Sequence, residues 1–202
     1  MARPSAPLTQ QSLAEVLDQV ADRTPGPGGG AVAALAVALA AALVEMTSRY
    51  DDSILAQARG ARANALRARM LEIADVERSV YEPVLEAQAM DPDHPQREYR
   101  LASALAAASA PALATAGAGA QVAGLAAESA TQGNPALIGD AVTAAELADG
   151  ATRAAAHLVR MNLSESPGDP RRTEVTGLVG AASEALEEAF AAAAEPEGSA
   201  PA

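Results

Sequence analysis

From residue 31 to residue 44 the chain reads Ala-Val-Ala-Ala-Leu-Ala-Val-Ala-Leu-Ala-Ala-Ala-Leu-Val, with no polar side chain. A helix that is apolar on every side has to be buried on every side. Fourteen residues fall short of the ~20 that cross a bilayer. The run therefore predicts a core helix, extending to about Tyr50. Ahead of it, Leu13, Val16, Leu17 and Val20 recur at helical spacing, predicting a first helix capped by Thr9 and running to about Arg23. Asp51-Asp52-Ser53 breaks the pattern and supplies a cap. A long third helix follows over roughly 54–90, with Leu66, Met70, Ile73, Val76, Val80 and Val84 three or four apart and a kink expected at Pro83. After the loop at 91–95 a fourth helix starts near Gln96. Pro111 should interrupt it, and Gly117, Gly119 and Gly124 should let a neighbour pack closely. At Gly133-Asn134-Pro135 glycine ends one helix, Asn134 caps the next and Pro135 enters its first turn. That fifth helix reaches about Leu163. Asp169 caps and Pro170 begins the last one, which ends near Ala194, and residues 195–202 read as a frayed tail.

These elements predict an all-α, single-domain bundle of about six helices around a buried alanine-rich central helix, one domain over 1–202 with its core at about 9–194. Composition agrees: 55 alanines against one Phe, three Tyr and no Trp favour helix over sheet. The stretch 101–130 also lacks a broad polar face. That is more apolar surface than one bundle covers, so a homodimer is expected. All fourteen basic residues are Arg, against 26 acidic ones, for a net charge of −12. Such a surface repels phosphate backbones, so no nucleic-acid partner is expected. Without cysteine, disulfides and thiolate chemistry are excluded, and His94 and His157 are too few for an obvious metal cage. No metal and no prosthetic group are expected. With no apolar stretch behind Arg3, the chain reads as cytoplasmic and off the membrane.

The remaining chemical tools are carboxylates, Arg, Asn, Tyr, hydroxyls and backbone amides. Pro25-Gly26-Pro27-Gly28-Gly29-Gly30 opens the apolar helix, whose unpaired N–H groups and positive dipole end point back at the turn. Both a ligand wall and a plain tight corner fit that pattern. Asp75 lies among Ile73, Ala74 and Val76, and a carboxylate on a buried helix face suits proton transfer. An exposed carboxylate paired with Arg69 or Arg78 is the plainer alternative. In the fifth helix Asp140 and Arg153 are more than three turns apart and cannot pair. His157 shares the face of Arg153, and Asn162 stands where that helix should end.

Three stretches resemble one family. Pro25-Gly26-Pro27-Gly28-Gly29-Gly30-Ala31-Val32-Ala33-Ala34-Leu35 is similar to its glycine turn and apolar helix. Asp75-Val76-Glu77 with Tyr81 is similar to its paired acids and following aromatic. Gly133-Asn134 with Asp140, then Arg153 and Asn162-Leu163, is similar to its third motif. The family is that of the cyclodeaminases and cyclohydrolases, including the C-terminal domain of formiminotransferase-cyclodeaminase and stand-alone methenyltetrahydrofolate cyclohydrolases. The resemblance spans roughly residues 10–190.

The resemblance implies a dimerising helical bundle with a tetrahydrofolate derivative as substrate near the subunit interface. It makes Asp75 the catalytic proton shuttle. It places Pro27, Gly28, Gly29, Gly30, Glu77, Tyr81, Asp140, Arg153, His157 and Asn162 around the substrate. Two reactions fit: hydrolysis of 5,10-methenyltetrahydrofolate to 10-formyltetrahydrofolate, and ammonia-releasing cyclisation of 5-formiminotetrahydrofolate. The first is preferred because no formiminotransferase domain is fused to the chain, and a non-catalytic helical dimer of the same family is the competing class. The chain departs from the pattern in three places. Residues 49–55, just after the apolar helix, hold no Gly-x-Lys/Arg segment, His157 stands where asparagine is common, and the loop at 91–95 is short.

Overall fold

The computed structural model describes residues 7–23 and 26–194, with every side chain among them except that of Arg78. The Thr24-Pro25 start of the turn and the tail at 195–202 lie outside the described residues. Those described form six α-helices and no strand: α1 (Leu13–Ala21), α2 (Gly29–Ser48), α3 (Ile54–Gln88), α4 (Arg97–Gln132), α5 (Ile138–Asn162) and α6 (Pro170–Ala194). Single 3-10 turns at Leu8–Gln10 and Pro135–Leu137 precede α1 and α5.

The expected central helix is α2, which packs against α3, α4 and α5, while α4 also packs on α6. By length and composition alone, α2 and α4 are long and apolar enough to cross a membrane. Here each packs against several neighbouring helices. The core around α2 joins Val37, Val44, Met70, Val122 and Leu125 through a lattice of buried alanines. Alanine permits this because a side chain one carbon long lets helix axes approach closely, and of all residues it best tolerates the helical backbone. Gly119 marks the tightest approach. A methyl added there would collide with Thr152 Oγ1 and lie 3.2 Å from the Ala148 carbonyl and 3.3 Å from Val37. Gly117 and Gly124 are under no such constraint.

Two expected helix signals are used differently. Thr9 does not cap α1. Ser12 does, as a capping box in which its side chain accepts from the Glu15 N–H and Glu15 reaches back to the Ser12 N–H at 2.8 Å. The Glu three residues after the serine completes the motif, which Thr9 lacks. Pro111 does not interrupt α4, which runs unbroken through it, as α3 does through Pro83. A proline removes one ladder bond, a cost of ~3 kcal/mol, and packing along a 36-residue helix outweighs it. The other punctuation stands as expected. Ser53 caps α3, the Asn134 side chain accepts from the Ala136 N–H at 3.0 Å, and Asp169 accepts from the Arg171 N–H at 3.0 Å.

Candidate functional site

A cavity of about 430 Å³ opens between the start of α2, the second half of α3, the first half of α4 and the end of α5. That volume lies in the range of small-molecule sites. Each helix contributes residues at its own period. From α3 come Ile73, Glu77, Val80, Tyr81 and Leu85, with Glu82 beside them; from α4, Ala108, Pro111, Ala112 and Thr115; from α5, Ala155, Leu158, Met161 and Asn162. Gly26, Gly28, Gly29 and Gly30 close the remaining side. The walls are aliphatic, with a few convergent polar groups.

The glycines make room for one carboxylate. Gly28 is the N-cap residue of α2 and brings no capping side chain. Glu77, reaching across from α3, accepts a hydrogen bond from the Gly28 N–H instead. A methyl at Gly30 would sit 2.7 Å from Glu77 Oε1 and 3.0 Å from its Cγ, so only glycine leaves the carboxylate where it is. A methyl at Gly29 would meet nothing within 4 Å. Half-buried in this wall, the Glu77 carboxyl is pushed up from the ordinary value of 4.5 by burial, partly offset by the Gly28 bond. A carboxyl raised in this way, aimed into an apolar cavity, is equipped to take and return a proton.

The structure brings together Gly28, Gly29, Gly30, Glu77, Tyr81 and Asn162 of the residues singled out from the sequence. It places the others elsewhere. Asp75 is two positions from Glu77, about 200° around the helix, and faces the N-terminal segment. Its carboxylate accepts from the Thr9 N–H at 3.1 Å and the Thr9 hydroxyl at 2.7 Å. Pro27 is buried beside the turn without lining the cavity. Asp140 stands in the first turn of α5, 22 residues before Asn162 and so roughly 33 Å along the axis. Arg153 braces α5 to α6, donating from Nε to Asp149 at 2.7 Å and from Nη2 to Ser183 at 2.9 Å. His157 is exposed on α5. Among the described residues no group of three His, Asp or Glu side chains is placed to hold a metal ion.

Sequence reading missed most of the walls. The signal was present in α3, where Ile73, Glu77, Val80 and Tyr81 lie at i, i+4, i+7 and i+8 and share one face. The α4 wall gives no such sign, because Pro111 and Thr115 are embedded in alanine.

The profile of the formiminotransferase-cyclodeaminase family matches residues 12–176. Among solved structures, the chain is similar to a formiminotetrahydrofolate cyclodeaminase from Thermotoga maritima. The likeness has 23% sequence identity and a TM-score of 0.77, over 92% of this chain and 94% of the other. At that identity it shows the fold alone. A search of the curated proteins finds no match.

Proposed function

Because the chain belongs to the formiminotransferase-cyclodeaminase family, we propose that its cavity binds a tetrahydrofolate derivative and works on the one-carbon unit between N5 and N10. The observation that carries this reading is Glu77, half-buried in an aliphatic cavity and seated on the glycine turn. In the first reaction, water adds to the methenyl carbon of 5,10-methenyltetrahydrofolate as Glu77 takes one of its protons. The tetrahedral carbinol then breaks its bond to N5, Glu77 returns the proton to N5, and the hydroxyl proton leaves to solvent. The product is 10-formyltetrahydrofolate. Carboxylate participation of this kind contributes about 10²–10⁴-fold.

A second reading has the similarity to a cyclodeaminase in its favour. N10 attacks the carbon of the protonated formimino group of 5-formiminotetrahydrofolate, Glu77 carries the N10 proton to the departing amino nitrogen, and ammonia leaves, with the 5,10-methenyl cation as the other product. Both reactions pass through a tetrahedral carbon and need the same proton carrier. In this reading Glu77 takes the shuttle role that the family resemblance gave to Asp75, since it is Glu77 that faces the cavity.

We further propose a cytoplasmic homodimer. Leu13 and Leu17 of α1 and Leu39 of α2 are 74%, 58% and 62% exposed, an apolar surface that a second copy would cover.

The test follows the loss of methenyltetrahydrofolate absorbance with wild type, Glu77→Gln and Asp75→Asn, and in parallel ammonia release from 5-formiminotetrahydrofolate. The expected result is a loss of about 10²–10⁴-fold in Glu77→Gln and a far smaller one in Asp75→Asn. Wild-type rates no faster than buffer in both assays would remove the enzyme reading.

A further inference from the structure

The chain holds no cysteine, so its sulfur chemistry rests on five methionines. Met46, Met70, Met90 and Met161 lie among the described residues, and the fold treats them differently. Met70 is fully buried in the core, while Met46 and Met90 are half-buried. Met161 is 57% exposed, and of these methionines it is the one that lines the cavity.

Its position follows from the last turns of α5. Ala155, Leu158, Met161 and Asn162 line the cavity, three or four residues apart on one face of that helix. Ala155 is buried, Leu158 half-buried and Met161 exposed. The α5 wall therefore rises from floor to rim within two turns, and Met161 stands at the rim. Tyr81 of α3, another lining residue, is exposed as well. As a flexible, apolar thioether, Met161 extends the aliphatic wall to the mouth of the cavity. A thioether has no proton to lose, so access rather than ionisation decides which methionine an oxidant reaches first.

We propose that Met161 is an oxidation site at the mouth of the cavity: a peroxide converts its thioether to the sulfoxide, and the sulfoxide weakens binding of the cavity's ligand. The sulfur lone pair attacks one peroxide oxygen. The O–O bond breaks as the S–O bond forms, and with hydrogen peroxide the other oxygen leaves as water. Sulfur is oxidised by two electrons and the peroxide is reduced by two. The sulfoxide oxygen is a polar acceptor that holds water at the rim. Seating a ligand against the aliphatic wall strips that water away, at a cost the thioether does not impose. Thiol-dependent reductases, one for each sulfoxide epimer, return the residue to methionine. The effect on turnover rests on the cavity being the substrate site proposed above, whereas the site of oxidation rests on exposure alone.

The test uses the full chain in dilute hydrogen peroxide. Cleavage after arginine leaves Met46, Met70, Met90 and Met161 in four different tryptic peptides, so mass spectrometry follows each separately. Met161 should gain its oxygen at least about tenfold faster than Met70, with Met46 and Met90 between them. Steady-state kinetics with methenyltetrahydrofolate should then give a KM several-fold higher and a nearly unchanged kcat. Treatment with methionine sulfoxide reductases A and B should restore the KM, and Met161→Leu should keep its KM through peroxide. Without peroxide, Met161→Gln should resemble the oxidised protein. Oxidation of Met161 no faster than of Met70, full oxidation with an unchanged KM, or an equal KM rise in Met161→Leu would overturn the proposal. Untreated protein that turns over neither folate removes the folate reading alone. The comparison then uses the fluorescent apolar probe anilinonaphthalene sulfonate. Peroxide should weaken its binding several-fold in wild type and leave it unchanged in Met161→Leu, and an equal loss in both overturns the proposal.

Discussion

Glu77 is subject to two opposed requirements, and their balance can be measured. Burial raises its carboxyl above 4.5, so between 4.5 and that raised value the folded chain holds a proton that the unfolded chain has released. The stability tied to that proton is complete below 4.5 and is lost as pH rises through the folded value. Glutamine is always neutral, keeps an oxygen for the Gly28 N–H, and escapes this loss. Glu77→Gln should therefore melt above wild type at pH 7 and approach it near pH 4, by thermal denaturation at the two pH values, even as it loses activity. An equal melting difference at both pH values would contradict a raised carboxyl. The glycines beside it separate site from scaffold. Gly30→Ala drives a methyl into the Glu77 carboxylate, and a displacement of about 1 Å at a catalytic group can cost ~10²-fold in kcat. Gly29→Ala meets open space and should leave kcat unchanged in the same steady-state assay.

Among the helices, packing decides what propensity cannot. Gly119 of α4 lies against Thr152 and the Ala148 carbonyl of α5 and against Val37 of α2. Gly119→Ala gains helix propensity but forces three elements apart, with an expected loss of about 1–3 kcal/mol, read from the urea midpoint. Gly124→Ala, with open space around it, should be neutral or mildly stabilising. Local chemistry made much of this architecture readable beforehand. An unbroken apolar run, Gly133-Asn134-Pro135 and Asp169-Pro170 act within a few residues of themselves, and the structure uses the last two as expected. The apolar run forms the expected helix but leaves Val32 and Leu39 exposed instead of buried on every side. What stayed hidden depends on residues distant in sequence. Nothing near Pro111 reveals that α3 and α5 hold α4 together around it. Asp75 has apolar residues on either side of it in sequence, but it is Glu77 that shares a helical face with Ile73, Val80 and Tyr81. Thr9, a plausible cap in sequence, is instead the clasp that occupies Asp75.

For the assembled molecule the open question is what covers α1 and the outer stripe of α2. Nine residues make a helix too short to stand alone in water, yet of its apolar side chains only Val16 is buried, while Leu13, Leu17 and Val20 face outward. On α2, Val32 and Leu39 lie two turns apart and are exposed on a helix that carries no charge before Glu45. Because α2 begins at the glycine turn, whatever covers that stripe also steadies the wall on which Glu77 rests. A second copy meets the need with one self-complementary contact, and twofold symmetry then counts each substitution twice. Removing a buried leucine loses about 1.5–3 kcal/mol. Leu39→Asp should therefore weaken a dimer by at least about 3–6 kcal/mol, roughly 10²–10⁴-fold in Kd. Size-exclusion chromatography with light scattering should find wild type dimeric at micromolar concentration and Leu39→Asp monomeric. Circular dichroism should show the variant still helical, and its kcat should fall as the turn loosens. A wild type that elutes as a monomer would leave the apolar stripe to another partner.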